Sequence, residues 1–264
     1  MSSLFSVKDL SVRFGGLLAI DSLSFEVREG EVLSLIGPNG AGKTTAFNAI
    51  TGYLQPTAGN VFFEDRNITG RKANEIAARG LVRTFQKTSV FGGRSALENI
   101  LIGLHLRSKQ TALAILLGLP SVAREERELE VEALRILKFI SLESKRNELA
   151  NALPYGEQRL LEVAVALAAR PRLLLLDEPV SGMNPVETES FMAKLAEIRA
   201  LGITVLLVEH DMKMVMGVSD RIVCLAQGRV IARGTPAEIQ SDPEVIRAYL
   251  GERHKRVEGA RSRA

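Results

Sequence analysis

Gly37, Pro38, Asn39, Gly40, Ala41, Gly42, Lys43, Thr44 and Thr45 set three glycines, one lysine and two hydroxyls within a single short run. The spacing is G-x-x-x-x-G-K-[ST], and the chemistry it suits is the cradling of phosphate. Glycines let the backbone curl until successive N–H groups face the phosphate oxygens. A helix beginning near Lys43 adds free amides and the positive end of its dipole to the same anion. Lys43 then reaches the β- and γ-phosphates of a nucleoside triphosphate, and the Thr44 hydroxyl is placed to ligate Mg2+. A chance match in a glycine-rich loop would lack flanking structure. Here an apolar run precedes the glycines, and Phe47, Ile50 and Leu54 follow at helical spacing. ATP and Mg2+ are the expected ligands.

Two further segments carry chemistry. Leu173–Leu176 is followed by Asp177, Glu178 and Pro179. A hard cation that already holds substrate phosphates needs few protein carboxylates, which suits Asp177 to Mg2+. Glu178 beside it is suited to polarising an attacking water as a general base. The plainer reading, an acidic N-cap at a strand-to-helix turn, explains one carboxylate and leaves the phosphate loop aside. His210 ends the run Val205–Glu209 and is expected to make a polar contact to the γ-phosphate. A structural histidine is the alternative for that position taken alone.

The elements that must position these residues follow from periodicity. Val32–Ile36, Leu173–Leu176 and Ile203–Val208 are continuous Val, Ile and Leu apart from Ser34 and Thr204, the pattern of strands buried on both faces of a parallel sheet. Each runs into one of the polar segments, and open α/β sheets bind ligands beyond the carboxyl ends of their strands. One shared site is therefore expected. Residues 4–27 and Asn60–Asp65 alternate apolar and polar residues around the Gly15-Gly16 punctuation, which predicts a mostly antiparallel sheet nearby. From about 90 to 170 the periodicity turns helical, notably over Glu125–Leu142 and Leu160–Ala168, so a helical lobe is inserted between two core strands. Pro236–Leu250 reads as a last helix. The expected organisation is one domain over 1–250 and a basic, disordered tail over 251–264.

Composition narrows the field. Hydrophobic residues at 46% and charged residues at 25% are those of an ordinary globular chain, and the sequence contains no Trp. The tail holds five cations against two anions, which equals the net charge of +3 for the whole chain. A basic stripe on a folded face is thus not supported, and no nucleic-acid partner is expected. Attraction to anionic lipid headgroups is the alternative reading of the tail. Cys224, in the apolar run Ile222–Ala226, is expected to be a buried strand residue, and one cysteine excludes an internal disulfide. The N-terminus lacks a signal-peptide pattern. The longest apolar stretch, Ala112–Leu119, falls far short of a bilayer span, so membrane association must come through partners.

Taken together, these motifs resemble the ABC ATPase family over nearly the whole chain. Phe85-Gln86 is similar to that family's Q-loop, which implies that Gln86 contacts Mg2+ and the attacking water. Leu153–Gln158 lies where the signature motif falls, implying nucleotide contacts for Pro154, Tyr155, Gly156 and Glu157. Ser181–Asn184 matches the D-loop, His210 the switch histidine, and Phe14 the aromatic that stacks on adenine. The stretches VRFGGLLAI, RTFQ, YGEQRLLE, VEHDMKMVMGVSDRI and GTPAEIQSDPEVIRAYLG most resemble the LivG-like ATPases of branched-chain amino acid importers. The insertion at 105–127 does so as well.

The fold class this implies is α/β, a P-loop NTPase of the ABC type with an antiparallel β subdomain and an inserted helical lobe. The implied partners are a second ATPase subunit, two transmembrane permeases and, indirectly, an extracytoplasmic substrate-binding protein, at the cytoplasmic face of the cell membrane. The helical lobe around 87–107 would receive the permeases, with Val90, Phe91 and Leu101 as contacts or as core. Other cargoes remain open, among them urea, amides and lipopolysaccharide. DNA-directed relatives insert a long coiled coil between the nucleotide motifs, whereas Lys43 and Asp177 are only 134 residues apart and no heptads occur between them. Ribosome-associated relatives carry two such domains in one chain.

Two positions depart from the family pattern. Pro154 stands where the signature carries a serine whose hydroxyl bonds the γ-phosphate across the dimer. Losing one hydrogen bond to a charged group costs about 1.5–3 kcal/mol. Unequal ATP sites, and a heterodimer rather than a homodimer, are expected in consequence. Asn184 stands where a D-loop aspartate is commoner.

Overall fold

The structure is a computed structural model and describes residues 3–84, 90–105 and 120–250. In chain order its strands are β1 (Ser3–Phe14), β2 (Leu17–Arg28), β3 (Val32–Ile36), β4 (Ala58–Phe63), β5 (Arg66–Asn67), β6 (Leu81–Arg83), β7 (Leu173–Asp177), β8 (Thr204–Val208), β9 (Arg221–Ala226) and β10 (Arg229–Gly234). The described helices are α1 (Lys43–Ile50), α2 (Ala73–Ala77), α3 (Ala96–His105), α4 (Pro120–Phe139), α5 (Tyr155–Ala168), α6 (Pro185–Ala200), α7 (Met212–Val218) and α8 (Pro236–Ser241).

Two sheets form, as the two kinds of periodicity predict. The alternating segments give an antiparallel sheet in the order β2-β1-β4-β5. Its hairpin from β4 to β5 turns on Glu64 and Asp65, both at positive φ, the backbone of a tight primed turn. The continuous apolar runs give the core sheet, β10-β9-β3-β8-β7-β6, parallel except for β10. Every residue of β3, β7 and β8 is buried, which is the reason their sequences do not alternate. Phe5, Leu23, Phe47 and Phe63 fill the space between the two sheets around α1, while Phe191, Leu195 and Ile198 of α6 cover the other face. Cys224 is buried in β9, as expected, and burial pushes its thiol up to about 12, so it stays protonated and inert at neutral pH.

The inserted helical lobe lies between β6 and β7 in the chain. Its core brings Ile100 and Leu104 of α3, Leu137 of α4 and Leu161 of α5 together. Val90 and Leu101 pack against that core, whereas Phe91 is 57% exposed, so only Phe91 of the three offers itself for a contact elsewhere. The helix expected over Glu125–Leu142 runs from Pro120 to Phe139 and the strand expected over Asn60–Asp65 from Ala58 to Phe63, and two further boundaries differ at prolines. Helix α5 begins at Tyr155, five residues before the apolar pattern, because Pro154 fits the N-cap with φ −52° and ψ 150°. The final helix is broken at Asp242. Pro243 disfavours helical backbone in the residue before it, and the Asp242 carboxylate instead accepts from the amides of Glu244 and Val245, capping residues 243–250. Among the described residues no helix is long and apolar enough to cross a membrane.

Candidate functional site

Strand order brings the polar segments together. β8 lies between β3 and β7, with Leu35 and Asp177 both in register with Val208. The phosphate-binding run follows β3, Glu178 follows β7 and His210 follows β8. Three segments distant in the chain therefore leave the sheet side by side at its carboxyl edge.

The loop after β3 has the shape its glycines permit. Gly37, Gly40 and Gly42 all take positive φ, and a Cβ on Gly37 would lie 2.2 Å from the Leu225 carbonyl oxygen. The Ala41 amide donates to the Pro38 carbonyl, and the Gly228 amide in the β9–β10 turn donates to the Ala41 carbonyl. Helix α1 starts at Lys43, where the phosphate reading needs it. Lys43 is buried, and its Nζ donates to the carbonyls of Gly37 at 2.6 Å and Pro38 at 3.1 Å, so the ammonium lies within the curl of the loop. Thr44 is exposed at the loop mouth, Thr45 half-buried behind it, and Asn39 exposed at the tip.

Asp177 is 3% exposed and its Oδ2 accepts from Arg83 Nη2 at 2.7 Å. Glu178 takes φ +48°, a left-handed conformation that costs a non-glycine residue about 1–3 kcal/mol. The strain is held from both sides: its amide donates to the Val208 carbonyl at 2.8 Å, and its carbonyl accepts from the Ser181 amide at 3.2 Å. His210 Nδ1 lies 3.8 Å from Glu178 Oε2. Beneath them Glu209 is fully buried, and desolvation pushes its carboxyl above the usual carboxylate range. Three amides oppose that shift: His210, Asp211 and Val180 donate to it at 2.8, 3.1 and 3.1 Å. Glu209 thus ties the turn carrying His210 to the turn carrying Glu178.

Phe14 ends β1 with half its surface open. The hairpin it starts is fastened beside the phosphate loop, because the Asp21 amide of β2 donates to the Gly228 carbonyl. The Pro154–Glu157 turn belongs to the helical lobe, and its side chains bond within their own surroundings. Tyr155 Oη donates to the Ser181 carbonyl at 2.9 Å and accepts from Arg159, while the Glu157 carboxylate accepts from Lys145 at 2.7 Å. That hydrogen bond to Glu157 holds the Lys145 ammonium above its ordinary pKa. Gly156 is buried, with the Glu187 carboxyl 3.0 Å from where a Cβ would stand. No side chain caps α5, so its first-turn amides are the groups that turn offers an anion. Asn184 caps α6 in a reciprocal box with Glu187, which gives the D-loop departure a local structural role. Gln86 lies outside the described residues. Sequence reasoning missed Arg83 and Glu209, whose partners Asp177 and Val180 are distant in the chain.

The comparisons fit this geometry. The sequence profile described as "ABC transporter" matches residues 20–181, and one described as "Branched-chain amino acid ATP-binding cassette transporter" matches residues 229–255. The high-affinity branched-chain amino acid transport ATP-binding protein BraF of Pseudomonas aeruginosa is 46% identical over 94% of this chain and 98% of its own length. The corresponding protein LivG of Escherichia coli K12 is 45% identical over the same shares. Among solved structures, a nucleotide-free ATP-binding cassette from an ABC transporter superposes with TM-score 0.82 at 32% identity, covering 94% of this chain and 99% of that one. The ADP conformation of such a cassette gives 0.84 at 32% identity, covering 95% and 100%. A curled phosphate loop beside an acidic strand end, on a fold shared with these cassettes, leads to one assignment: the chain belongs to the ABC transporter family, as one of its ATP-binding ATPase cassettes.

Proposed function

We propose that the chain is the ATP-hydrolysing subunit of an importer for branched-chain amino acids, acting at the cytoplasmic face of the membrane. It would pair with a second, different ATPase subunit and two permeases, served by an extracytoplasmic binding protein. The observation that carries this reading is 45–46% identity across 94% of the chain to proteins named for branched-chain amino acid transport.

On this reading the curled loop and the start of α1 hold the phosphates of ATP. Lys43 exchanges the carbonyls of Gly37 and Pro38 for the β- and γ-phosphates, and Phe14 stacks on the adenine. Thr44 and Asp177 would hold Mg2+, with Gln86 as a third contact. A hydroxyl and a carboxylate are the hard oxygen donors that ion takes, and among the described residues no cluster of three His, Cys, Asp or Glu forms a separate metal site. Bound there, the ion neutralises charge on the phosphate oxygens. Glu178 orients and deprotonates the attacking water, and His210, on the neighbouring strand end, meets the γ-phosphate. Gly156 and the first-turn amides of α5 face the nucleotide held by the partner ATPase.

A tagged chain purified from native membranes should bring two permeases and a second ATPase with it. ATPase activity of that assembly should then rise on adding binding protein loaded with leucine, isoleucine or valine. Stimulation by a different cargo would replace the substrate, and recovery of ribosomes or DNA-bound proteins would overturn the transport role.

The signature turn carries a second prediction. Pro154 has no hydroxyl, and α5 has no side-chain cap, so the site completed by this turn is the weaker of two. Pro154→Ser should raise hydrolysis at that site about tenfold, the value of a hydrogen bond to a charged group. It should also stabilise the fold by about 1 kcal/mol as an N-cap. A higher melting temperature with unchanged ATPase activity of the assembled pair would refute unequal sites.

A further inference from the structure

Arg83 ends the edge strand of the core sheet, yet its side chain is 6% exposed and points into the protein. One arm of its guanidinium, Nη2, donates to Asp177 Oδ2 at 2.7 Å. The other arm, Nη1, donates to Asn48 Oδ1 at 2.8 Å and Thr51 Oγ1 at 3.0 Å. The plane sits over the rings of Phe47 and Tyr53, with centroids at 5.5 and 5.9 Å. Thr51 is fixed in turn by its hydroxyl, which donates to the Phe47 carbonyl at 2.6 Å. One fork therefore joins the end of β7 to the last turn of α1, the helix whose first turn carries Lys43 and Thr44. The backbone repeats the connection, since Arg83 is in register with Leu175 and the Thr84 amide donates to the Leu175 carbonyl.

Burying both partners of an ion pair costs solvation that their attraction only partly returns, and apolar residues of similar size often hold a fold as well. Stability alone does not account for a guanidinium here. Its geometry does something an apolar residue cannot. By occupying one carboxylate oxygen it fixes the plane of Asp177, so an approaching cation meets the other oxygen in a single orientation. By holding α1 with its second arm it also fixes the distance from that oxygen to Thr44.

We propose that Arg83 is a positioning residue for the divalent cation, a two-armed strut that sets Asp177 against Thr44. The inference rests on the reading that Asp177 and Thr44 hold Mg2+. Lysine keeps the charge but has no planar fork, so it cannot brace both segments at once. Among the described residues the guanidinium bonds to Asp177, Asn48 and Thr51, none of them in the phosphate loop, so ATP binding without metal is expected not to depend on it.

The test is Arg83→Lys in the full chain, with binding of a fluorescent ATP analogue measured across a Mg2+ titration and in EDTA. Electron paramagnetic resonance of Mn2+ bound with ATP gives a readout independent of turnover. The Mg2+ midpoint for nucleotide binding and for hydrolysis should rise about tenfold, the Mn2+ spectrum should broaden, and affinity in EDTA should be unchanged. Asn48→Ala removes one of the two acceptors of the helix-side arm, leaving Thr51, and should move the midpoint in the same direction by less; it decides the matter if Arg83→Lys fails to fold. An unchanged midpoint overturns the proposal, as does an equal loss of affinity in EDTA, which would make Arg83 a support of the loop itself. Asp177→Asn separates the two levels. If it leaves the Mg2+ midpoint alone, the metal reading has failed; if it shifts the midpoint and neither other variant does, only the role of Arg83 has failed.

Discussion

Glu178→Gln is expected to lower ATP hydrolysis about 10²–10⁴-fold, the usual contribution of a positioned general base, while ATP affinity stays within about twofold. The substitution keeps size and one acceptor oxygen, replaces the other oxygen by an NH2 donor, and removes the charge and with it the ability to accept a proton. The surroundings make it a clean change. The backbone of residue 178 is held in its left-handed conformation by bonds of the main chain to Val208 and Ser181, which a glutamine retains. Among the described residues, His210 Nδ1 lies 3.8 Å from Glu178 Oε2 and is itself exposed. Steady-state turnover together with equilibrium binding of a fluorescent nucleotide decides it. A variant that turns over at a near-normal rate moves activation of the water to another group. Loss of binding together with turnover would mean that the residue shapes the loop instead.

The strain at Glu178 is informative in its own right. Residue 178 precedes a proline and follows a fully buried strand, and a glycine there would relieve the left-handed backbone. A side chain kept at that cost points to a use for the carboxylate. The adjoining Glu209 shows how the position is maintained, its buried carboxylate bonding the Val180 amide just beyond Glu178 and the two amides that begin the His210 turn.

What the sequence made legible follows the range of the interactions involved. The strands β3, β7 and β8 are readable because burial on both faces leaves an unbroken apolar run, and the residues that break each run are the site. The phosphate loop is readable because its bonds join residues a few positions apart: Lys43 reaches back to Gly37 and Pro38. Arg83 was silent because its partner is 94 residues further on, and the length of β6, three residues, gives no periodicity to read. Glu209 was silent for the same reason, with Val180 29 residues before it. The breaks in helical segments were legible in principle from Pro154 and Pro243, yet apolar spacing pulled the expected boundaries past both. The contact from Tyr155 to the Ser181 carbonyl joins the lobe to the turn after β7, and only the folded arrangement reveals it.

Gly42→Ala is expected to weaken ATP binding and to lower ATP hydrolysis about a hundredfold, the penalty on rate when groups that must converge on a substrate are displaced by about 1 Å. Gly42 is the N-cap of α1 at φ +103°, where an L side chain is strained before any contact is considered. Its Cβ would also stand 2.6 Å from Ile20 Cδ1 and 2.8 Å from the Ala19 carbonyl oxygen. The isoleucine methyl can rotate away. The carbonyl cannot, since it belongs to β2, which is stitched to the loop through Asp21, Gly228 and Ala41. The residue that yields is therefore 42 itself, and Lys43 and Thr44 move with it. Gly40→Ala supplies the comparison, because Gly40 shares a positive φ of +76° but has nothing within 4 Å of its Cβ position. Backbone strain alone, about 1–2 kcal/mol, should then cost about tenfold. Nucleotide titrations of both variants, with melting curves to show that each is folded, separate the two contributions. Equal losses would mean that conformational freedom, and not the close approach of β2, is what the last glycine of the loop provides.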